Sequence, residues 1–378
     1  MSAAGIEAAA AALVGALADD AAEAEATGFP TRSIERLAAA GLLAAPLPVA
    51  GAPLPVPLVD ATLRLSLLRV LAHIGRGSLP VGRLYEGHVN ALTLVATFGT
   101  PAQRASAASA AAAGGLFEVW NTEPPADGVR LVPGRRDAMA LVGRKSFASG
   151  AGHVQRAVVT ARDAEGRSQM VLVDFDTAAP SPTIVPGSWK PLGMVATASH
   201  TVAFDGVPVE PEALLGAPGD YLRNPAFGAG SVRFCAVQVG GIEAVFDATR
   251  RFLRTERRTE DVLQRARLGE MAAHAAGAAL WLEGAARHAE GLVDGGTAVA
   301  YAHLMRVAVE EAALAALRLA ERSVGARGLL APQPLERLHR DLVHYLRQAG
   351  PDAALAAAGA HVLTRDLPAP ELWRPAER

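Results

Sequence analysis

The chain has 378 residues, 51% of them hydrophobic, and a formal net charge of -2 at pH 7. That length buries a large core in two or three units, and the near-neutral balance excludes a strong field for nucleic acid or an anionic membrane. A single cysteine, Cys235, excludes an internal disulfide and sets a reducing compartment as the expectation. In Phe234-Cys235-Ala236-Val237 it reads as buried filler rather than a nucleophile. Lysine stands only at positions 145 and 190, an arginine and alanine bias that fits a GC-rich genome better than a ligand. The N-terminus has no basic n-region, and Asp19, Asp20, Glu23 and Glu25 interrupt its alanine run, which argues against a signal peptide. No window approaches about 18 uninterrupted apolar residues. The expected location is the cytoplasm, with no membrane or nucleic-acid partner.

In chain order, 3–27, 31–43, 59–75, 79–98 and 101–113 carry apolar residues at helical spacing. Gly28-Phe29-Pro30, the Pro/Gly-rich 45–57 and Gly99-Thr100-Pro101 break them. Thr100 before Pro101 predicts an N-cap followed by proline at the first helical position. From Leu116 the pattern shifts to short β-prone runs at 116–121, 129–132, 138–142, 154–161, 169–175 and 199–205. Asp127-Gly128, Pro133-Gly134, Glu165-Gly166 and Asp205-Gly206 supply turns between them. Six short strands in about 100 residues suggest a small barrel or sandwich. Helical spacing returns over 230–257, 260–291, 297–326, 334–348 and 351–363, with connectors that suit an antiparallel bundle. The predicted fold is α+β in three parts: an N-terminal helical domain over 1–114, a middle β-domain over 115–222 and a C-terminal bundle over 223–378. No repeat of 20–50 residues indicates a solenoid.

Several words, in order, resemble the acyl-CoA dehydrogenase family of flavoproteins. They are Gly41-Leu42 in an early helix, Phe98-Gly99-Thr100-Pro101-Ala102-Gln103-Arg104 and Trp120-Asn121-Thr122-Glu123-Pro124. Then come Gly143-Arg144-Lys145-Ser146-Phe147-Ala148-Ser149, Leu192-Gly193-Met194 with Val202–Val209, and the late Arg340-Asp341. The resemblance runs over nearly the whole chain. It implies FAD held between the β-domain and the bundle, with Asn121 and Thr122 at the pyrimidine edge, Phe147 on the ring and Ser149 reaching it. It also gives Arg322, where the family has glutamine, and Gly325, which opens a Gly-x-x-Gly turn, as cofactor-binding positions, and because family members complete each FAD site from a second subunit it makes a homodimer, homotetramer or heteromer the expected assembly. Arg233 and Gly350 are its substrate-binding positions, for an acyl-thioester-like small molecule. The plain alternative is that Thr122 and Ser149 cap strand ends and Phe147 is core.

The sequence departs from the family at three places. Pro125-Ala126-Asp127-Gly128 lacks the serine of the pyrophosphate-binding Gly-x-Gly-Ser-Asp. The Arg-x-x-Phe-Gly motif is absent, and Arg254 or Arg257 stands in for it unless the cluster is a solvated helix end. The family's catalytic glutamate, eight residues after the Asp of Arg-Asp, is Ala349. A methyl group accepts no proton, whereas α,β-dehydrogenation needs a base within hydrogen-bond reach. The alternative position just before an arginine reads Gly230-Ser231-Val232-Arg233, and no histidine or asparagine stands at 348–351. Glu86, in Tyr85-Glu86-Gly87, and Glu243 are the remaining candidate bases, with Glu86 expected to be exposed or capping. His88 and His200 read as structural, and no His/Cys/Asp spacing suggests a metal. Three functions stay open: an acyl-CoA dehydrogenase-like oxidoreductase with a relocated base, a flavin monooxygenase of the same fold, and a non-catalytic flavin-binding subunit.

Overall fold

The computed structural model describes residues 1–58, 60–134, 138–223, 230–291, 295–347 and 350–373. Five helices come first: α1 (Ala3–Thr27), α2 (Thr31–Ala39), α3 (Ala61–Gly77), α4 (Leu79–Phe98) and α5 (Pro101–Ala112). Their ends follow local chemistry. Ser2 caps α1 by accepting from Gly5 N–H, and left-handed Gly28 closes it. Thr100 and Gln103 form a reciprocal capping box at α5. The Gln103 amide also donates to the carbonyls of Glu212 and Leu214, at 2.8 and 2.9 Å, so the Phe-Gly-Thr word clamps the helices to the end of the β-domain.

Eight strands follow: β1 (Phe117–Trp120), β2 (Arg130–Pro133), β3 (Met139–Ala148), β4 (Arg156–Arg162), β5 (Ser168–Asp174), β6 (Thr183–Ile184), β7 (His200–Val209) and β8 (Leu214–Leu215). They pair in the order β6-β7-β3-β2-β4-β5-β8, with β1 parallel to β4 off this path. The α+β class is as expected, but the sheet is open rather than a closed barrel. β6 and β8 are too short to carry a periodicity. β3 runs six residues beyond its expected end, with Gly143 accommodated at φ 122° within the strand. A Cβ there would lie 2.9 Å from the Gly128 carbonyl carbon, so only glycine lets the two backbones meet.

The last third contains α6 (Gly230–Thr255), α7 (Val262–Gly291), α8 (Gly295–Gly328), α9 (Pro334–Leu346) and α10 (Pro351–Leu363). α6 crosses α3 at a seam of glycines. A Cβ on Gly240 would stand 2.6 Å from Arg76 N, and one on Gly75 would stand 3.0 Å from the Val237 carbonyl carbon. Backbone-to-backbone approach of this kind needs residues without side chains. An Arg76–Asp247 ion pair flanks the seam. No helix is long and apolar enough to cross a membrane among the described residues.

Candidate active site

The Trp120–Pro124 and Gly143–Ser149 words, at the ends of β1 and β3, build one shelf. Lys145, fully buried on β3, donates to the Asn121 carbonyl at 3.0 Å, to the Glu123 carboxylate at 2.6 Å and to the Thr160 hydroxyl at 2.9 Å. Burial lowers its pKa, while the Glu123 partner opposes that shift. Ser146 N–H donates to the Thr122 carbonyl at 2.9 Å. The Thr122-Glu123 turn is thus pinned to β3, with Asn121 and Thr122 exposed at its edge. The Asn121 carboxamide oxygen accepts from Thr160, which leaves its two amide donors and one lone pair of that oxygen for a ligand.

Beyond Lys145 the β3–β7 register slips, and Phe147 takes φ 52°. A bulge re-aims side chains. Here it turns Phe147 outward, leaving it 58% exposed, while Ser149 points in and is buried. Phe147 meets Trp189 edge to face at 6.1 Å, and Trp189 meets His344 likewise at 5.7 Å. The Ser149 hydroxyl joins a chain through Ser199, at 2.9 Å, to Thr197, at 2.7 Å, and on to the Met194 carbonyl, at 2.8 Å. Thr197 donates to that carbonyl, so Ser199 must donate to Thr197 and Ser149 to Ser199. The Ser149 oxygen therefore keeps its lone pairs, and any further hydrogen bond it makes is as an acceptor.

The Leu-Gly-Met and Arg-Asp words meet in space and fix Trp189 against His344. Met194, left-handed at φ 60°, donates its N–H to Asp341 at 2.6 Å. A Cβ on Gly193 would lie 2.6 Å from Asp341 N. Burial pushes Asp341 up to about 6, against the Met194 hydrogen bond. His344, one helical turn past Asp341 on α9, lies ahead of the 348–351 stretch in which the resemblance puts a late histidine or asparagine, so the resemblance does not mark it. Its spacing from Asp341 was the available signal. Burial lowers its pKa, so the neutral ring is favoured.

On the other side of α9 lies a buried charged cluster. Arg83 Nη1 reaches Glu86 at 3.0 Å and Glu118 at 3.4 Å. Asn90 donates to Glu86 and accepts from Arg233 Nε. Glu86 is 4% exposed, so the expectation of an exposed or capping glutamate is corrected: α4 packs on β1, and the carboxylate is enclosed between Arg83 and Asn90. Gly87 belongs to the same arrangement, because the Glu118 carboxylate occupies the space a Cβ would need. Glu243 is not part of it. It stands beside Arg76 and Asp247, and burial raises its pKa. His88 is structural: Nε2 bonds the Leu43 carbonyl at 2.9 Å, Nδ1 accepts from Phe117 N–H at 3.1 Å, and burial pushes it down to about 4. Cys235 is fully buried, as its apolar surroundings predicted.

Burial pushes Glu118 up to about 8, against the attraction of Arg83. The folded state then holds a proton that the unfolded chain releases near 4.5. Stability contributed at this site is highest below about pH 4.5 and declines as pH rises toward about 8. Glu118→Gln should remove that decline. Thermal melts at about pH 5 and about pH 8.5 should separate wild type more than the variant, and equal separation would contradict the assignment.

Arg322 and Gly325 lie at the far end of α8. Gly325 is left-handed at φ 62° and breaks the helix. Arg267 donates to the Arg322 carbonyl at 2.7 Å, Arg258 to the Ser323 carbonyl at 3.0 Å, and Arg327 pairs with Glu256. The Gly-x-x-Gly turn and the Arg254–Arg258 segment therefore come together, but no described contact joins them to Phe147 in the same chain. Gly350 is left-handed at φ 69° at the start of α10. Ala349 lies outside the described residues.

Residues 222–361 match the family model for the acyl-CoA dehydrogenase C-terminal domain. No curated protein matches the chain in sequence. Among solved structures it is similar to FMN-bound TdsC from Paenibacillus sp. A11-2, with 20% identity, 98% of this chain and 100% of that chain covered, and a TM-score of 0.82. It is also similar to KijD3 in complex with FMN and a dTDP-linked amino-keto sugar, with 22% identity, 96% and 94% covered, and a TM-score of 0.80. A third is the methanesulfinate monooxygenase MsuC from Pseudomonas fluorescens, with 21% identity, 97% and 99% covered, and a TM-score of 0.81. The chain thus has the fold of these structures, and the matched segment 222–361 resembles the acyl-CoA dehydrogenase C-terminal domain.

The shelf fits a flat aromatic group. An exposed Phe147 backed by Trp189, polar strand ends at Asn121 and Thr122, and an acceptor at Ser149 suit an isoalloxazine ring.

Proposed function

We propose that the protein is a flavin-dependent oxidoreductase acting on a small polar molecule, and that it carries out oxygenation rather than α-proton removal from an acyl thioester. The observation that carries this reading is the fate of the carboxylates. The family's glutamate position is Ala349, Glu86 and Glu118 are both engaged by Arg83, Glu123 is engaged by Lys145, and His344 stands beside Trp189 at the shelf. The chemistry a bound flavin supplies is two-electron exchange, extended in its reduced form to dioxygen, with one oxygen atom entering the substrate and the other leaving as water. The protein's part is to hold the ring and the substrate. Asn121 and Thr122 would meet the pyrimidine edge, Phe147 and Trp189 would flank the ring, and Ser149 would accept a hydrogen bond. His344, neutral and held by Trp189, would accept or return a proton at its ring nitrogen. TdsC, also described as a dibenzothiophene monooxygenase, and MsuC are precedents for such chemistry on this fold.

The sequence led to FAD. We infer that FMN is the better fit, because the segment that would hold a pyrophosphate is folded back on β3. Arg144 N–H donates to the Asp127 carbonyl at 2.8 Å, and its guanidinium pairs with the Asp127 carboxylate. Saturating flavin should raise the melting temperature and chromatography should identify the bound form, since a ligand of the native state must stabilise it. A colourless protein with no shift from FMN or FAD would sink the reading. With reduced flavin and a substrate panel, oxygen consumption should follow product formation, whereas acyl-CoA-dependent dye reduction without oxygen uptake would replace oxygenation with dehydrogenation.

A second copy completes the picture. Val262, Leu263, Leu280, Leu355 and Leu363 are exposed on α7 and α10, each more than half. Burial of such a face between copies, most simply about a two-fold axis, would offer the Arg322–Gly325 turn to a neighbour's flavin. Light scattering at micromolar concentration should give a dimer or tetramer, and a monomer would contradict it.

A further inference from the structure

The cluster beneath α9 has more hydrogen-bond donors than acceptors. Arg83 uses Nη1 for both carboxylates, and its Nε and Nη2 have no acceptor among the described residues. Arg233 spends Nε on Asn90, and its two terminal nitrogens likewise have none. The Tyr345 hydroxyl is buried without a partner, close enough to Glu86, Arg83 and Glu118 to feel their charge. Against these donors the spare acceptor is one oxygen of Glu118, buried and unpartnered. Of these donors the Tyr345 hydroxyl is the one shut off from solvent, and an unmet buried donor costs about 1–3 kcal/mol, so it asks for a partner, while the part-exposed guanidinium groups stay open to water or a ligand. A fatty acyl chain would leave every one of these groups unmet.

We propose that this cluster binds a small organic oxyanion, and that the substrate of the proposed oxidoreductase carries such a group. The inference rests on that functional reading for the identity of the ligand as substrate, but not for the binding itself. An oxyanion brings several lone pairs and a negative charge. It can accept from either the Arg233 terminal nitrogens or the Tyr345–Arg83 side, and its charge offsets that of the two guanidinium groups. The groups facing Glu118 are Arg83 and Glu86 from α4 and Tyr345 from α9, with Tyr221 beside Arg83 and Glu86. Because burial pushes Glu118 up to about 8, it holds its proton at neutral pH and leaves Arg83 undercompensated. Ionisation of Glu118 at higher pH restores the balance within the protein and competes with a bound anion.

The test uses the full-length purified protein and two probes, acetate and methanesulfonate, against chloride at matched ionic strength. At about pH 6.5 either organic anion should give a saturable rise in melting temperature above that of chloride. Binding should weaken as pH rises past about 8, and Glu118→Gln should flatten that dependence. Arg233→Gln should weaken binding about tenfold or more, as expected for a charged hydrogen bond. Tyr345→Phe should weaken it several-fold while leaving the melting temperature without anion equal or higher, since it deletes an unpartnered hydroxyl. If Arg233→Gln does not fold, Tyr345→Phe and the pH profile decide. No saturable shift beyond chloride, or an unaltered shift in these variants, overturns the inference. Flavin titration on the same samples separates the two readings. Anion binding without flavin binding sinks the oxidoreductase reading alone, and flavin binding without anion binding sinks this inference alone.

Discussion

Supplied with a common acyl-CoA and an artificial electron acceptor, the flavin-loaded protein is expected to show only a trace of dehydrogenase activity. Removing the α-proton of a thioester requires a group that accepts it, and a positioned base typically contributes about 10²–10⁴-fold. At the residue eight past Asp341 the side chain is a methyl group, Ala349. The buried carboxylates offer no easy substitute. Glu86 is held by Arg83 and Asn90, Glu118 shares Arg83, and Glu243 stands apart beside Arg76 and Asp247. Ala349→Glu should raise thioester-dependent dye reduction if the ring and the thioester can be bound together. Brisk wild-type activity would refute the expectation, and its loss in Glu86→Gln or Glu243→Gln would then name the base. If neither wild type nor Ala349→Glu acts on any thioester, the substrate is of another class.

Gly240→Ala should destabilise the protein by about 3 kcal/mol, the upper part of the usual range for overpacking. The added methyl would stand 2.6 Å from Arg76 N and well inside van der Waals contact of the Ala72 carbonyl oxygen. Both are backbone atoms in α3, so no side chain can swing aside, and the two helices must separate. Separation would also disturb the Arg76–Asp247 ion pair. Urea denaturation should show a lower midpoint. Gly269→Ala on α7, where a Cβ meets nothing within 4 Å, serves as the control and should be neutral or slightly stabilising. Equal effects from the two substitutions would show that the seam is not as close as described.

The helices were legible because their apolar residues recur at helical spacing and their ends carry stop signals. The 79–98 and 351–363 segments, bounded by Ser78, Gly99 and Pro351, match α4 and α10 to the residue. β6 and β8 were not, since two residues in a sheet are held by their partners and leave no pattern of their own. The candidate site was legible only as separate words. That Gly193 touches the backbone at Arg340 and that Met194 donates to Asp341 are contacts across about 150 residues, which no local spacing announces. The charged cluster was hidden for a related reason. Glu118 looks like an ordinary polar position on a strand until Gly87 is seen to make room for it.

The pairing of Arg340 with Glu25 carries a consequence for how the chain is made. The two residues are separated by 315 positions, and the same guanidinium also reaches the Leu192 carbonyl. During synthesis α1 leaves the ribosome long before its partner on α9 exists, and the α3 seam waits for α6. The early helices must therefore persist with apolar faces uncovered while most of the chain is still being translated, a state prone to association with other chains. The late Arg-Asp pair on α9 acts as a latch that closes after both earlier parts are in place. Chains ending before α9 should accumulate as insoluble or chaperone-bound material, even though every residue of the β-domain has by then been translated.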